Sequence, residues 1–266
     1  MLTKQNIRSR DFFSGDLAVI YPKEVPAEVT HQVYRDNLRA ACFSNDGQVS
    51  VLELGCGTGR YFDFLHNVKR LVGVDISKDM LAFAKETVRK RPDLDGVTSL
   101  VQSSIEDFNT EEKFDFVYSI GTLGEFCEFS PDVMKRMLST LKPGGFLFFT
   151  IVDADSFSKT RYSRFQLLVN AITRRILPFK HRFRFSPQEL VLSDWKNLFL
   201  TRKEVEQVIT SVDMPVRFEL SRSKDNVHVH HICKVWLERK LKVLMAYFYL
   251  SGEAVAECLA PELLML

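Results

Sequence analysis

Short apolar runs recur through the first half of the chain, separated by amphipathic stretches, and this alternation narrows the possible folds more than any single residue does. Ser50–Leu54, Leu71–Asp75, Val97–Val101, Phe114–Ile120 and Gly145–Val152 are each too short for a helix and apolar enough to be buried on both faces. Between them, Met80, Leu81, Ala84 and Val88 share one helical face behind a capping Ser77. Pro131 to Leu141 predicts another helix, opened by Ser130 and ended by Lys142-Pro-Gly-Gly145. Tyr61, Phe62, Phe64 and Leu65 carry helical spacing directly after the first run, which predicts strand, turn, helix there. Buried strands alternating with helices imply a parallel sheet covered on both sides. With 266 residues and 45% hydrophobic content, the chain can bury one large core of this kind.

The flanking segments read differently. Residues 1–45 form a leader followed by a helix marked by Val29, Val33, Tyr34, Asn37 and Leu38, and 46–153 form the alternating core. Residues 154–197 break the alternation, and 198–238 complete the sheet. In this last stretch Thr201 and Glu204 make a capping box, and Val216–Leu220 and Val227–Trp236 make a β-hairpin. Residues 239–266 predict a helical tail on Leu241, Leu244, Met245 and Phe248. Five scattered cysteines and a formal charge of +2 suggest neither a disulfide framework nor a general nucleic-acid field. The N-terminus lacks a signal pattern and no apolar run approaches the ~18 residues of a membrane span, so the expected location is cytoplasmic.

Chemistry first enters at Gly55, Gly57 and Gly59, which stand between a buried strand and the next segment in a GxGxG spacing. Glycines there let the backbone turn tightly and approach a ligand with no Cβ in the way. Asp75 closes the second strand twenty residues after Gly55, where a carboxylate can accept from both hydroxyls of a ribose. A dinucleotide signature would place its third glycine where Arg60 stands, so an adenosine cofactor without phosphates fits better.

The segment Val51–Arg60, with acidic Glu53 ahead of the glycines, resembles motif I of the class I S-adenosylmethionine-dependent methyltransferases, small-molecule type. Gly73-Val-Asp75 resembles their second acidic motif, Phe114–Gly121 their fourth-strand motif, and Leu141–Phe146 their turn into the fifth strand. The resemblance covers about residues 48–152. It implies an α/β fold: a Rossmann-like, doubly wound, mostly parallel seven-stranded sheet with an antiparallel C-terminal hairpin strand, here carrying a helical cap insertion. It implies S-adenosylmethionine as cofactor, with Glu53, Gly55, Cys56 and Gly57 lining the methionine end and Asp75 holding the ribose. By the same resemblance Ile76 packs on the adenine, and Ser104 replaces the Asp that receives the adenine amino group in relatives. Ile105 contributes its backbone amide, and Ser119, Ile120 and Gly121 border the transferable methyl.

Methyl transfer from a sulfonium needs alignment and exclusion of water more than a fixed catalytic group, whereas an acceptor hydroxyl or protonated amine also needs a base. The candidates are Glu125 just after the fourth strand, Tyr21 in the leader and His181 in the insertion. Their plainer readings are a loop acid, a packing aromatic and an exposed loop histidine, and His31 on the leader helix has the same plain reading. His228, His230 and His231 lack a Cys or carboxylate at ligand spacing, so no metal is expected and they are read as hairpin residues facing solvent or a neighbour. Residues 156–187 hold eight Lys and Arg interleaved with aromatics and no acid. They suit either a lid over a flat or anionic small-molecule acceptor or an amphipathic cap with a solvated basic face. The fourth-strand Ser119–Thr122 is unlike the motifs of base methyltransferases, which argues against nucleic acid. Oxygen, nitrogen and carbon acceptors, a protein or RNA substrate, and a non-catalytic cofactor-binding subunit all stay open on the residues alone.

Overall fold

The structure is a computed structural model, which describes residues 4–15, 29–43, 47–157, 198–224 and 229–238. Two helices, α1 (Lys4–Phe12) and α2 (Val29–Phe43), precede the sheet. Strands β1 (Val49–Leu54), β2 (Val68–Asp75), β3 (Thr98–Gln102), β4 (Phe114–Ser119) and β5 (Leu141–Val152) then alternate with α3 (Lys78–Arg89), α4 (Pro92–Asp95) and α5 (Pro131–Ser139). After α6 (Ala154–Phe157) and α7 (Arg202–Thr210), β6 (Val216–Lys224) and β7 (Val229–Leu237) close the fold. The seven strands lie in the order β3-β2-β1-β4-β5-β7-β6. The first five are parallel, and β7 runs antiparallel to both β5 and β6. This is the doubly wound, mostly parallel sheet with an antiparallel hairpin expected from the sequence.

Each face of the sheet carries its own core. Val133, Met134, Met137 and Leu138 of α5 and Val205 and Ile209 of α7 pack on one side. Tyr34, Leu38 and Cys42 of α2, Ala84 and Val88 of α3, and Leu94 of α4 pack on the other. The helix starts follow the residues that predicted them. Ser77 and Ser130 accept from Met80 N and Val133 N, and Thr201 with Glu204 forms the reciprocal capping box.

Three expectations are corrected. The helix after the glycine turn is a single 3-10 turn, Phe62–Phe64. Only thirteen residues separate the end of β1 from the start of β2, and the glycine turn uses the first of them. Lys142-Pro-Gly-Gly145 does not stop α5; it begins β5, with an irregular register opposite Phe114–Phe116. His230 and His231 are not surface residues: both are buried. His231 Nε2 lies 3.1 Å from the Leu200 carbonyl oxygen and 3.4 Å from Asp153 Oδ1. Burial pulls the His231 pKa down, so the ring is neutral and donates from Nε2 to that carbonyl. Asp153, itself fully buried, is 3.0 Å from the Arg222 guanidinium. These groups pinch together the points where the chain leaves the sheet at Asp153 and returns at Leu200. His228, nearly all of the cap insertion and the tail lie outside the described residues.

Candidate functional site

The strand order reverses between β1 and β4, and a cleft opens at the C-terminal ends of the strands at that point, as it does in other open α/β sheets. Counted out to its open mouth, the space it encloses is about 720 Å³. The glycine turn forms its floor. Gly55 has φ +75°, and a Cβ there would fall 2.3 Å from Thr122 Oγ1, so only glycine lets the β1 and β4 loops meet. Gly57 has φ +52° and open space where its Cβ would stand, which leaves its backbone bare toward a ligand.

Asp75 ties this floor to the next wall. Its Oδ2 accepts from Gly57 N and its Oδ1 from Ser77 N, both at 2.8 Å. Burial raises its pKa, and the backbone amides of Ser77, Gly57 and Ile76 partly offset that rise. An ionised carboxylate has about four acceptor positions, so two remain for a diol. At the opposite end Glu53 is 1% exposed and accepts from Tyr118 Oη at 2.7 Å. Burial pushes the Glu53 pKa well up, against the pull of the Tyr118 bond and the Arg60 charge. Burial likewise raises the thiols of Cys56 and Cys127, so neither is a thiolate at neutral pH. Helix α1 covers the cleft from above, placing Asn6 and Ser9 in its lining together with Phe13, which directly follows the helix. Ser9 Oγ donates to Phe126 O at 2.8 Å, and Ser77 Oγ donates to Phe13 O at 2.7 Å. Phe13 also meets the Phe126 ring edge-on, with centroids 4.8 Å apart.

Residues 51–145 match the family model described as "Methyltransferase domain". Over that stretch the chain is similar to methyltransferase domains. Among curated relatives, the mitochondrial ubiquinone biosynthesis O-methyltransferase of Candida albicans is 30% identical over 138 residues, covering 49% of this chain and 41% of that protein. Malonyl-[acyl-carrier protein] O-methyltransferase 2 of Ilyobacter polytropus is 26% identical over 117 residues, 43% of each. The chain thus spans less than half the length of these relatives. Among solved structures, magnesium protoporphyrin IX methyltransferase of Synechocystis PCC 6803 with bound SAH superposes with a TM-score of 0.62. Its identity is 12%, over 88% of this chain and all of the other, so the likeness is one of fold.

Of the residues assigned to cofactor binding, Glu53, Gly55, Cys56, Gly57, Asp75, Ile76, Ser104, Ile105, Ile120 and Gly121 line the cleft. Ser119 does not: it is fully buried, and its hydroxyl donates to Leu54 O at 2.8 Å. Ser104 Oγ is engaged locally, donating to Asp107 Oδ2 and accepting from Asp107 N. Glu125 is not in the lining. Its carboxylate turns toward β7, with Oε1 3.9 Å from His230 Nδ1. Tyr21 and His181 lie outside the described residues; His31 stands on α2 with its side chain likewise outside them. Among the described residues no group of three His, Cys, Asp or Glu could hold a metal, and no helix is long and apolar enough to cross a membrane. Among the cleft residues that sequence reasoning missed are Asn6, Ser9, Phe13, Arg60, Tyr61, Glu106 and Phe126. For Arg60 and Tyr61 the signal was present, since they directly follow the glycine turn.

Proposed function

We propose that this cleft binds S-adenosylmethionine and that the protein transfers the methyl group to an oxygen or nitrogen atom of a small molecule. The observation that carries the reading is the Asp75 carboxylate, held by the amides of Gly57 and Ser77 with two acceptor positions to spare at the cleft wall. The residues present fit the cofactor. Asp75 suits the ribose diol, Ile76, Met80 and Ile105 give an apolar slot for a flat base, and the bare Gly55–Gly57 backbone accommodates the sulfur and its substituents. When bound, the cofactor supplies an electrophilic methyl carbon on a cationic sulfur.

What the protein adds is position and dryness. Helix α1, fastened through Ser9 and Phe13, closes the cleft from above, while Ile120, Gly121 and Thr122 set the wall where the methyl is offered. Excluding water there protects the methyl from hydrolysis and leaves orientation as the main source of acceleration. An acceptor hydroxyl would, in addition, need a carboxylate at this wall to take the proton it gives up on methylation. Glu125 follows this wall in the chain, its carboxylate outside the lining and 3.9 Å from His230 Nδ1, and is the residue proposed to take that proton on turning toward the acceptor. The relatives named as O-methyltransferases support an oxygen acceptor, and the basic, aromatic segment 156–187 supports one that is flat or anionic. Calorimetric titration with S-adenosylhomocysteine tests the first half of the proposal: saturable binding, competed by S-adenosylmethionine and not by NAD⁺, is expected. Binding of NAD⁺ in its place would overturn it.

A further inference from the structure

Strand β6 ends the sheet, and among the described residues no strand lies beyond it. Its pairing with β7 runs from Val216 to Lys224 without a bulge, and a long regular edge of this kind is a template for a further strand. The phase of the ladder fixes which groups that edge offers. Glu238 N donates to Pro215 O, so Pro215 and, in step with it, Arg217, Glu219 and Ser221 turn their backbone groups toward β7. Val216, Phe218, Leu220 and Arg222 therefore turn theirs outward. The side chains divide in the same way. Val216, Phe218 and Leu220 lie half-buried against the core of α5 and α7, while Arg217 and Glu219 stand exposed on the other face, 3.3 Å apart.

A second copy of β6 is the occupant these constraints favour. Two antiparallel copies related by a two-fold axis keep their outward groups paired in a few registers, and the side chains choose among them. An axis through Arg217 sets arginine against arginine, and one through Glu219 sets glutamate against glutamate. An axis through Leu220 sets Phe218 against Arg222. An axis through Phe218 instead sets Arg217 of each copy against Glu219 of the other, Phe218 against Phe218, and Val216 against Leu220. Opposite charges then meet on one face and apolar side chains on the other, while the outward backbone groups of Val216, Phe218 and Leu220 all find partners. Independently of the cofactor reading, we propose that the chain forms a two-fold dimer through the outer edge of β6, its register set by Arg217 and Glu219 about a central Phe218. No residue of β6 lines the cleft, so the dimer leaves the site of each copy intact.

Sedimentation velocity on the full chain across the micromolar range tests this, and wild type is expected to show a monomer–dimer equilibrium. Arg217→Glu sets glutamate against glutamate and Glu219→Arg sets arginine against arginine, so each should weaken the dimer about 10-fold. Mixing the two variants in equal amounts restores both opposite-charge pairs, and a heterodimer of near wild-type affinity is expected. The doubly exchanged Arg217→Glu/Glu219→Arg chain should dimerise with itself for the same reason. A thermal melt of each variant separates loss of fold from loss of association. Arg217→Glu gives up a stack on Trp236 at 4.0 Å; Glu219→Arg leaves that stack in place and reads the proposal by itself if the first variant melts early. Wild type that stays monomeric, as it would if another segment of the chain covered this edge, overturns the proposal. Folded single variants that dimerise like wild type, or a mixture of them that does not associate, overturn it as well.

Discussion

Replacing Asp75 with alanine removes four acceptor positions at once, two serving the protein and two proposed for the ribose. The structural pair is the Gly57 and Ser77 amides, each 2.8 Å from the carboxylate. Both lie beside an open cleft, so water can replace part of what they lose, and a stability loss of about 1–2 kcal/mol is expected. The ligand pair is worth more per bond because the acceptor is charged, at about 1.5–3 kcal/mol each before solvent competes. With water taking part of that, the expected loss of S-adenosylhomocysteine affinity is about 1.5–3 kcal/mol, or about 10- to 150-fold. Asp75→Asn separates the two effects. It retains one oxygen, whose two lone pairs can serve one amide and one hydroxyl, while placing an NH₂ against the other amide, so its affinity should fall between wild type and Asp75→Ala. Calorimetry at a temperature well below the melting point, paired with a denaturant melt of each variant, reads both quantities. A variant that loses stability while binding S-adenosylhomocysteine as tightly as wild type would refute the ribose role and leave Asp75 as a loop clamp.

Gly55→Ala places a Cβ against Thr122 at a backbone angle that L side chains rarely adopt, so the melt should report a loss of about 1–3 kcal/mol, and cofactor affinity should fall with it. Glu53 has a raised pKa in the fold because it is buried; the stability it gives is full below the ordinary glutamate range and declines as pH rises through that raised value. Glu53→Gln should therefore flatten the decline in urea midpoint from acid to mildly alkaline pH, and an unchanged slope would contradict the assignment. Glu125→Gln should lower turnover about 10²- to 10⁴-fold with cofactor affinity unchanged, measured as S-adenosylhomocysteine release with a hydroxyl acceptor, if the carboxylate takes the proton; full activity would dismiss it.

The sheet was legible because its signals are local: each buried run announces a strand, and Ser77, Ser130 and Thr201 announce the helix starts they cap. The cofactor cleft was legible for the same reason, since the glycine turn and Asp75 belong to adjacent strands. Tyr61, Phe62, Phe64 and Leu65 misled because their spacing satisfies a helix while the chain has room only for one 3-10 turn. Tyr61, Phe62 and Leu65 are buried, as a helix would bury them, through the tight loop. Helix α1 was invisible to a hydrophobic pattern because its inward residues Asn6 and Ser9 are polar yet buried, Ser9 against the Phe126 carbonyl in the loop after β4. His230 and His231 read as exposed for a similar reason. The carboxylates beside them, Glu125 and Asp153, come from parts of the chain that only the folded sheet brings near.

Diffraction from crystals grown with S-adenosylhomocysteine addresses the whole account in one experiment. The expected density lies over Gly55 and Gly57, with both ribose hydroxyls within hydrogen-bond distance of Asp75 and the thioether sulfur facing Gly121. Density at another place, or a diol turned away from Asp75, would contradict it.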